Sequence, residues 1–185
     1  MKSIGKMSVG ELAAFVCSRL RRHGIAAVLS GGACVSIYTD NRYQSLDLDF
    51  IENVPIGGKR LKDVLVEFGF VEKGRFFVHP DTDFFLDFPA GPLAVGSEPV
   101  QQIHEMTFTT GRLALLSPTD CVKDRLAAYY HWNDRQCLEQ ALLVAAMRTV
   151  DLKEIERWSA VENKSAEFQS IRGEFVKARR SRRRS

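Results

Sequence analysis

The sequence lacks any apolar run near the ~20 residues that a helix needs to cross a bilayer. Its first residues also lack the apolar segment and cleavage site of a secretory signal peptide. From these two absences we expect a cytoplasmic protein with no membrane partner. Cysteine is scarce, and none of the four forms a CxxC pair or lies near a histidine at zinc-ligand spacing. We therefore expect reduced, structural thiols.

Net charge is also low, +3 over 185 residues, but it is unevenly distributed. The last nine residues, 177–185, contain six of the basic side chains and no acid, which leaves 20 basic against 23 acidic residues in positions 1–176. Such a basic tail can bind nucleic acid. No aromatic residue is interleaved to stack on bases, however, so we favour a solvated, disordered terminus.

The order of predicted elements indicates an α+β (α/β) fold. At 45% hydrophobic and 26% charged residues, the chain has enough apolar material for one compact domain or a core with a small subdomain. Strand and helix patterns alternate over the first 116 residues, and only helical patterns follow. We therefore predict a core over 1–116, a helical subdomain over 117–176 and a basic tail over 177–185.

Asp47 and Asp49 stand two residues apart in an apolar stretch, Ser45–Ile51, that we predict to be a strand. Residues i and i+2 of a strand point to the same face. The two carboxylates would lie ~7 Å apart and repel by ~2 kcal/mol at an effective dielectric of ~20. The pair indicates a bound positive group, although alternation alone is equally consistent with a polar strand face in water.

Asp87 is a third acid, within the most aromatic predicted strand, Asp83–Phe88. An unpaired carboxylate is costly to bury there, so the three acids together suggest convergence on a metal. Hard oxygen ligands suit Mg²⁺ or Mn²⁺, and two such ions can clamp the oxygens of a phosphoryl displacement. The alternative for Asp87 is a carboxylate paired with backbone N–H groups near Pro89.

Ser30, Gly31 and Gly32 lie between a predicted strand, Ile25–Leu29, and a predicted short helix, Ala33–Tyr38. Glycine lets phosphate oxygens approach the backbone closely, and a helix N-terminus offers free N–H groups and a positive dipole end. Alone, this pattern indicates only a tight turn. Followed by the acidic strand, it fits a nucleoside triphosphate held by its phosphates beside a dimetal centre.

These motifs resemble the pattern of the nucleotidyltransferase superfamily, in which a Gly-Gly or Gly-Ser turn precedes an Asp-x-Asp strand and a third Asp on a later strand. The sequence is most similar to small bacterial members, the minimal nucleotidyltransferases and the AbiEii-like toxins. In those proteins an LSP-x-D segment precedes the helices, as Leu116–Asp120 does here. The resemblance covers roughly residues 24–145.

The resemblance implies a mixed sheet flanked by helices and metal-dependent transfer of an NMP from an NTP to an acceptor hydroxyl. Asp47 and Asp49 would bind Mg²⁺ or Mn²⁺ that bridges the triphosphate, while Asp87 completes a second metal site and helps to deprotonate the acceptor. The residues implied in nucleotide binding are Ser30, Gly31, Gly32, Ser45 and Arg125, with Lys123 as the alternative to Arg125. For both basic residues, a solvated helix face remains an equal interpretation.

The sequence does not identify the acceptor, since transfer RNA, a partner protein's hydroxyl and a small antibiotic all present a nucleophile. An alternative function retains the fold without catalysis, as a binding or regulatory partner in a toxin–antitoxin or phage-defence module. A third possibility is a nucleic-acid-binding module that uses the basic tail. Three converging acids favour the enzyme, because a scaffold does not need them.

Overall fold

The structure is a computed structural model that describes residues 2–52 and 58–182. Within these residues the strands are β1 (Ala27–Ser30), β2 (Asp47–Glu52), β3 (Val71–Lys73), β4 (Phe76–His79), β5 (Thr82–Asp87), β6 (Ala94–Val95), β7 (Glu98–Pro99), β8 (Ile103–Phe108) and β9 (Gly111–Leu116). The helices are α1 (Val9–Arg22), α2 (Gly31–Tyr38), α3 (Gly58–Val66), α4 (Pro118–Trp132), α5 (Arg135–Met147), α6 (Leu152–Val161) and α7 (Ser165–Arg182), after a 3₁₀ turn at Ile4–Lys6. The α+β class predicted from the sequence is confirmed.

Local capping residues determine where several helices begin. Ser8 and Glu11 form the predicted capping box at the start of α1, which satisfies backbone N–H groups that have no partner inside the helix. Ser117 accepts a hydrogen bond from the backbone of Asp120 at the start of α4, where a proline occupies the first turn. These short-range signals explain why the helices begin near their predicted positions.

One mixed sheet has the strand order β3-β4-β5-β2-β1-β9-β8, and a separate hairpin joins β6 to β7. The central strand β2 pairs antiparallel with β1 and parallel with β5. This register places Ser30 opposite Asp49 on one side and Asp87 opposite Asp49 on the other. Three residues from separate segments therefore meet across neighbouring strands.

The two faces of β2 have opposite environments. Leu48 and Phe50 are fully buried in the core, whereas Asp47 and Asp49 are only partly buried. The alternation therefore directs the apolar residues into the core and the acids to the other face, as predicted. The helix between β1 and β2 packs against the sheet: Tyr38 in α2 donates a hydrogen bond to the carbonyl of Leu116, at the end of β9, at 2.6 Å.

Several element boundaries differ from the prediction. β2 begins at Asp47, so Ser45 lies in the preceding loop, and α2 begins at Gly31 rather than at residue 33. The last strands before residue 116 form one antiparallel hairpin, β8–β9, whose turn contains Thr109 and Thr110. The short β6–β7 hairpin was not predicted, because its strands have too few residues to show an alternation of apolar and polar side chains.

The C-terminal tail also differs from its prediction. A disordered segment was expected from residue 177, but α7 continues through Arg182. The helix extends because the segment contains no proline or glycine to end it. Residues 183–185 lie outside the described part, and the predicted domain boundary at 116/117 stays a prediction. No helix among the described residues is both long and apolar enough to cross a membrane.

Candidate active site

The three predicted acids form a single cluster. Asp47, Asp49 and Asp87 each offer a carboxylate oxygen, and these oxygens all lie within 4.8 Å of one another. The cluster follows from the parallel register of β2 and β5, which sets Asp49 beside Asp87, and from the i, i+2 spacing of Asp47 and Asp49. The convergence expected from the sequence is therefore present in the structure.

The environment of the cluster disfavours negative charge unless a cation is added. Oδ1 of Asp47 is buried without a hydrogen-bond partner among the described residues. Burial, followed by the charges of Asp47 and Asp87, raises the pKa of Asp49 to about 7, and the charge of Arg125 partly opposes this. Burial and the charge of Asp87 likewise raise the pKa of Asp47. The carboxylates are crowded and under-compensated.

The cluster fits a divalent metal ion. All three ligands are carboxylates, the hard oxygen donors that Mg²⁺ and Mn²⁺ prefer. Two oxygens on one Mg²⁺ lie at most ~4.2 Å apart, twice the ~2.1 Å metal–oxygen distance, and the three carboxylate oxygens, all within 4.8 Å of one another, are close to that range. The unpartnered oxygen of Asp47 is an available ligand atom. We therefore regard these residues as a candidate metal centre.

Gly31 lies directly against this cluster. It has a φ of +67°, and a Cβ atom placed on it would lie 2.1 Å from Oδ2 of Asp49. Any other residue would therefore be strained and would collide with the carboxylate. The backbone at the start of α2 thus lies so close to Asp49 that no side chain fits between them, in agreement with the predicted glycine turn.

Gly32 is supported from the side by the loop that precedes β2. A Cβ atom on Gly32 would lie 3.0 Å from Oγ of Ser45 and 3.4 Å from the hydroxyl of Tyr43. The backbone N–H of Ser45 in turn donates to Oγ of Ser36 at 2.9 Å, and that hydroxyl donates to the carbonyl of Gly32. The loop and the glycine turn are therefore held together by hydrogen bonds.

The two predicted serines make backbone contacts in the structure. Ser30 donates from Oγ to the carbonyl of Asp49 at 3.3 Å. Ser45 donates to the carbonyl of Asp47 at 3.2 Å and accepts from its N–H at 3.3 Å. Ser45, predicted as the first residue of the strand, lies just before β2. Both hydroxyls fix the backbone that carries the acids, and a role in nucleotide binding stays a prediction.

Of the two basic candidates, Arg125 faces the cluster. Its charge lowers the pKa of Asp49, and its Nε donates to Asp124 at 3.0 Å. Burial lowers the pKa of Arg125. The charge of Asp124 and the hydrogen bond to Asp124 raise it by more, so the pKa of Arg125 is above its usual value. Arg125 is therefore a fixed positive charge on the side of the site formed by α4.

Lys123 belongs to a different environment. Its side chain is buried, and Nζ lies 2.6 Å from Glu154 on α6 and 3.4 Å from Asp120. Asp120 in turn belongs to the N-terminal cap of α4, where Ser117 donates to its carboxylate at 2.7 Å. The LSP-x-D segment therefore starts a helix and anchors it to α6. Thr119 in the same segment accepts a hydrogen bond from the backbone of Asp151, and Lys123 forms its ion pairs with Glu154 and Asp120.

Arg75 and Asp124 also act on the acidic cluster, but neither was predicted from the sequence as a site residue. Nη2 of Arg75 lies 3.1 Å from Oδ2 of Asp87, at the turn between β3 and β4. Asp124 lies near enough for its charge to raise the pKa of Asp49. The available signal for Arg75 was a pair of cations, Lys73 and Arg75, around Gly74 before an aromatic strand, next along the chain to the strand with a buried acid. Asp124 carried no comparable signal.

The sheet and the acidic cluster define a protein with a nucleotidyltransferase-like fold. The chain is similar to the crystal structure of an antigenic nucleotidyltransferase-like protein from Paracoccidioides brasiliensis, with a TM-score of 0.64 and 12% identity over 91% of this chain and 92% of that one. At this identity the likeness shows the fold alone.

Two structures of the antibiotic-resistance factor ANT(2'')-Ia also match. Its solution structure has a TM-score of 0.49 at 12% identity, over 89% of this chain and 92% of that one. Its crystal structure with adenylyl-2''-tobramycin has a TM-score of 0.48 at 13% identity, over 84% and 93%. No protein-family model and no curated protein sequence matches the chain. The AbiEii-like subtype stays a prediction.

Proposed function

We propose that this protein is a divalent-metal-dependent nucleotidyltransferase that moves an NMP from an NTP to an acceptor hydroxyl. The observation that supports it is the cluster of Asp47, Asp49 and Asp87, with oxygens within 4.8 Å and one unpartnered buried oxygen, directly against the glycine turn. A structural cluster of this charge would be unfavourable without a cation. The nucleotidyltransferase-like fold independently supports the same activity.

In the proposed reaction, an oxygen of the acceptor hydroxyl attacks the α-phosphorus of the NTP. The bond from that phosphorus to the bridging oxygen breaks, and pyrophosphate leaves with the bonding electron pair. Mg²⁺ or Mn²⁺ would supply charge neutralisation for the triphosphate and for the attacking oxygen. Asp87 accepts the hydroxyl proton, directly or through water.

The chain's own residues would act mainly by positioning and by charge. Asp47 and Asp49 hold the cation, and the backbone N–H groups at Gly31 and Gly32 face the phosphates at the start of α2. Ser30 and Ser45 hold the backbone of the two acids, as their hydrogen bonds indicate. Arg125 adds a fixed positive charge from α4.

The test is transfer of label from each α-labelled NTP, with Mn²⁺ or Mg²⁺, to macromolecules in an extract of the source organism. We expect Asp47→Asn and Asp87→Asn each to reduce transfer by about 10²-fold or more. Asp83→Asn is the matched control, because this exposed acid lies on the same strand as Asp87. Its transfer should equal that of the wild type.

Calorimetry with each NTP and Mg²⁺ distinguishes the enzyme from a silent relative. Nucleotide binding without transfer to any acceptor would support the binding or regulatory alternative. Transfer that survives both substitutions would reject the assignment of the acids. Transfer that requires the acids and occurs with only one class of acceptor would support the assignment and would also identify the acceptor.

A further inference from the structure

Arg75 differs from the partners of a fixed structural ion pair. Its guanidinium lies 3.1 Å from Asp87, yet its side chain is 73% exposed while that of Asp87 is 10% exposed. Its other support is the face of the Phe76 ring, 4.6 Å from Cζ. The preceding Gly74 has open space around it and a φ of +66°. The guanidinium can therefore leave Asp87 without disturbing packed residues.

The guanidinium also lies at the edge of the candidate metal centre. It contacts Asp87 directly, and Asp87 shares the cluster with Asp47 and Asp49. A divalent cation at the cluster would carry the same sign of charge and would compete for Asp87. Both cations cannot be held there without mutual repulsion.

We infer that Arg75 exchanges partners: it neutralises the carboxylates while no metal is bound, and it contacts the nucleotide's phosphate chain once a divalent cation has replaced it. This inference rests on the proposed function, because it needs the metal and the phosphates at this site. A guanidinium suits both partners, since its planar fork of N–H donors matches carboxylate and phosphate oxygens alike. The exposure of the side chain gives it room to move between them.

The exchange predicts two effects of opposite sign for Arg75→Gln. Metal alone should bind more tightly, because no ion pair has to be broken first. An exposed pair of this kind corresponds to about a two- to fivefold gain in affinity. Polyphosphate with metal should bind about three- to tenfold more weakly, because a charged phosphate contact is lost. A merely structural residue would not produce opposite effects.

The experiment is Mn²⁺ titration of the full chain, followed by the electron paramagnetic resonance signal of free Mn²⁺, without and then with inorganic tripolyphosphate. Tripolyphosphate avoids any dependence on the nucleotide base. Arg75→Lys retains the charge and should keep the metal-only affinity within about twofold of the wild type. Arg21→Gln is the matched control, since Arg21 forms a 2.8 Å exposed ion pair with Glu105 on the opposite edge of the sheet.

The outcomes separate this inference from the proposed function. Tighter Mn²⁺ binding and weaker tripolyphosphate binding in Arg75→Gln alone would support the exchange. If the wild type binds Mn²⁺ and transfers nucleotides, but either effect is missing in Arg75→Gln, the exchange is wrong and the proposed function stands. If the wild type binds no Mn²⁺, both are wrong.

Discussion

Replacing Asp49 by asparagine should stabilise the metal-free protein while it removes metal binding. Asn has nearly the same shape as Asp but no charge, and the charge of Asp49 is unfavourable in the folded protein. Burial and the neighbouring Asp47 and Asp87 raise the pKa of Asp49 to about 7, against the opposing charge of Arg125. The substitution therefore relieves repulsion that, in our proposal, a divalent cation would otherwise relieve.

The magnitude follows from linkage between proton binding and folding. The folded protein binds the proton of Asp49 more tightly than the unfolded chain does, since the pKa rises from 3.8 to about 7. The protonated Asp49 therefore makes its full contribution to the free energy of unfolding below about pH 4. This contribution is lost as the pH rises from there through about 7. The full shift corresponds to about 4 kcal/mol. Because Asp49 is only partly buried, solvent screening reduces the expected effect to about 2–3 kcal/mol.

The assay is urea unfolding of wild type and Asp49→Asn at about pH 5 and about pH 8.5, with a chelator present. At the lower pH, Asp49 is mostly protonated in the folded protein but already ionised in the unfolded chain, so the variant should be more stable by only about 1 kcal/mol. At the higher pH, the variant should be more stable by about 2–3 kcal/mol. Adding Mg²⁺ should then stabilise the wild type in proportion to its occupancy and leave the variant unchanged.

Asp83→Asn is the control, because Asp83 is exposed on β5 and its carboxylate is in contact with water. It should show no such dependence on pH. The reasoning would be refuted if the stability difference between wild type and Asp49→Asn were the same at both pH values. A variant that is less stable than the wild type specifically at the higher pH would refute it equally.

Three further substitutions test the surroundings of the cluster. Gly31→Ala should lower the free energy of unfolding by about 1–3 kcal/mol, because its Cβ would collide with Asp49 and the residue has a positive φ. As a control, Gly173→Ala, in open space on α7, should raise the free energy of unfolding by about 0.5–1 kcal/mol. Thermal unfolding measures both. Lys123→Met should cost about 1–2 kcal/mol, because Glu154 and Asp120 lose one charged partner while Arg157 and Ser117 still bind them, with Mn²⁺ affinity unchanged. Arg125→Gln should raise the pKa of Asp49, so that Mn²⁺ affinity increases with pH at a higher midpoint than in the wild type.

Each of these has a result that would contradict it. Equal stability of the Gly31 and Gly173 variants would mean that the glycine turn tolerates a side chain. A large loss of Mn²⁺ affinity in the Lys123 variant would place that residue in the metal or phosphate site after all. An unchanged or lower midpoint for Arg125→Gln would show that its charge does not act on the carboxylates.

Much of the local structure could be predicted because its causes act over a few residues. The capping box at Ser8 and the cap at Ser117 fix helix starts through hydrogen bonds within three residues. The alternation around Asp47 and Asp49 determines which strand face carries the acids. The α+β class follows from the order of these elements, and the structure confirms it.

Contacts between segments that are distant in the chain could not be predicted in the same way. The sequence shows that Asp87 lies on a strand, but only the parallel pairing of β2 with β5 places it beside Asp49. The same limit applies to Lys123, whose partner Glu154 lies on another helix. The local signal, Asp120 three residues before Lys123, indicates an ion pair along the helix but not the stronger one with Glu154.

The sequence by itself therefore determined the types of elements, the acidic strand face and the glycine turn, because periodicity and capping depend on neighbouring residues. Only the tertiary structure decided the strand register, the 3.1 Å contact of Arg75 with Asp87, and the ion pair of Lys123 with Glu154. Register and ion pairing depend on how the entire core packs. No local pattern encodes them.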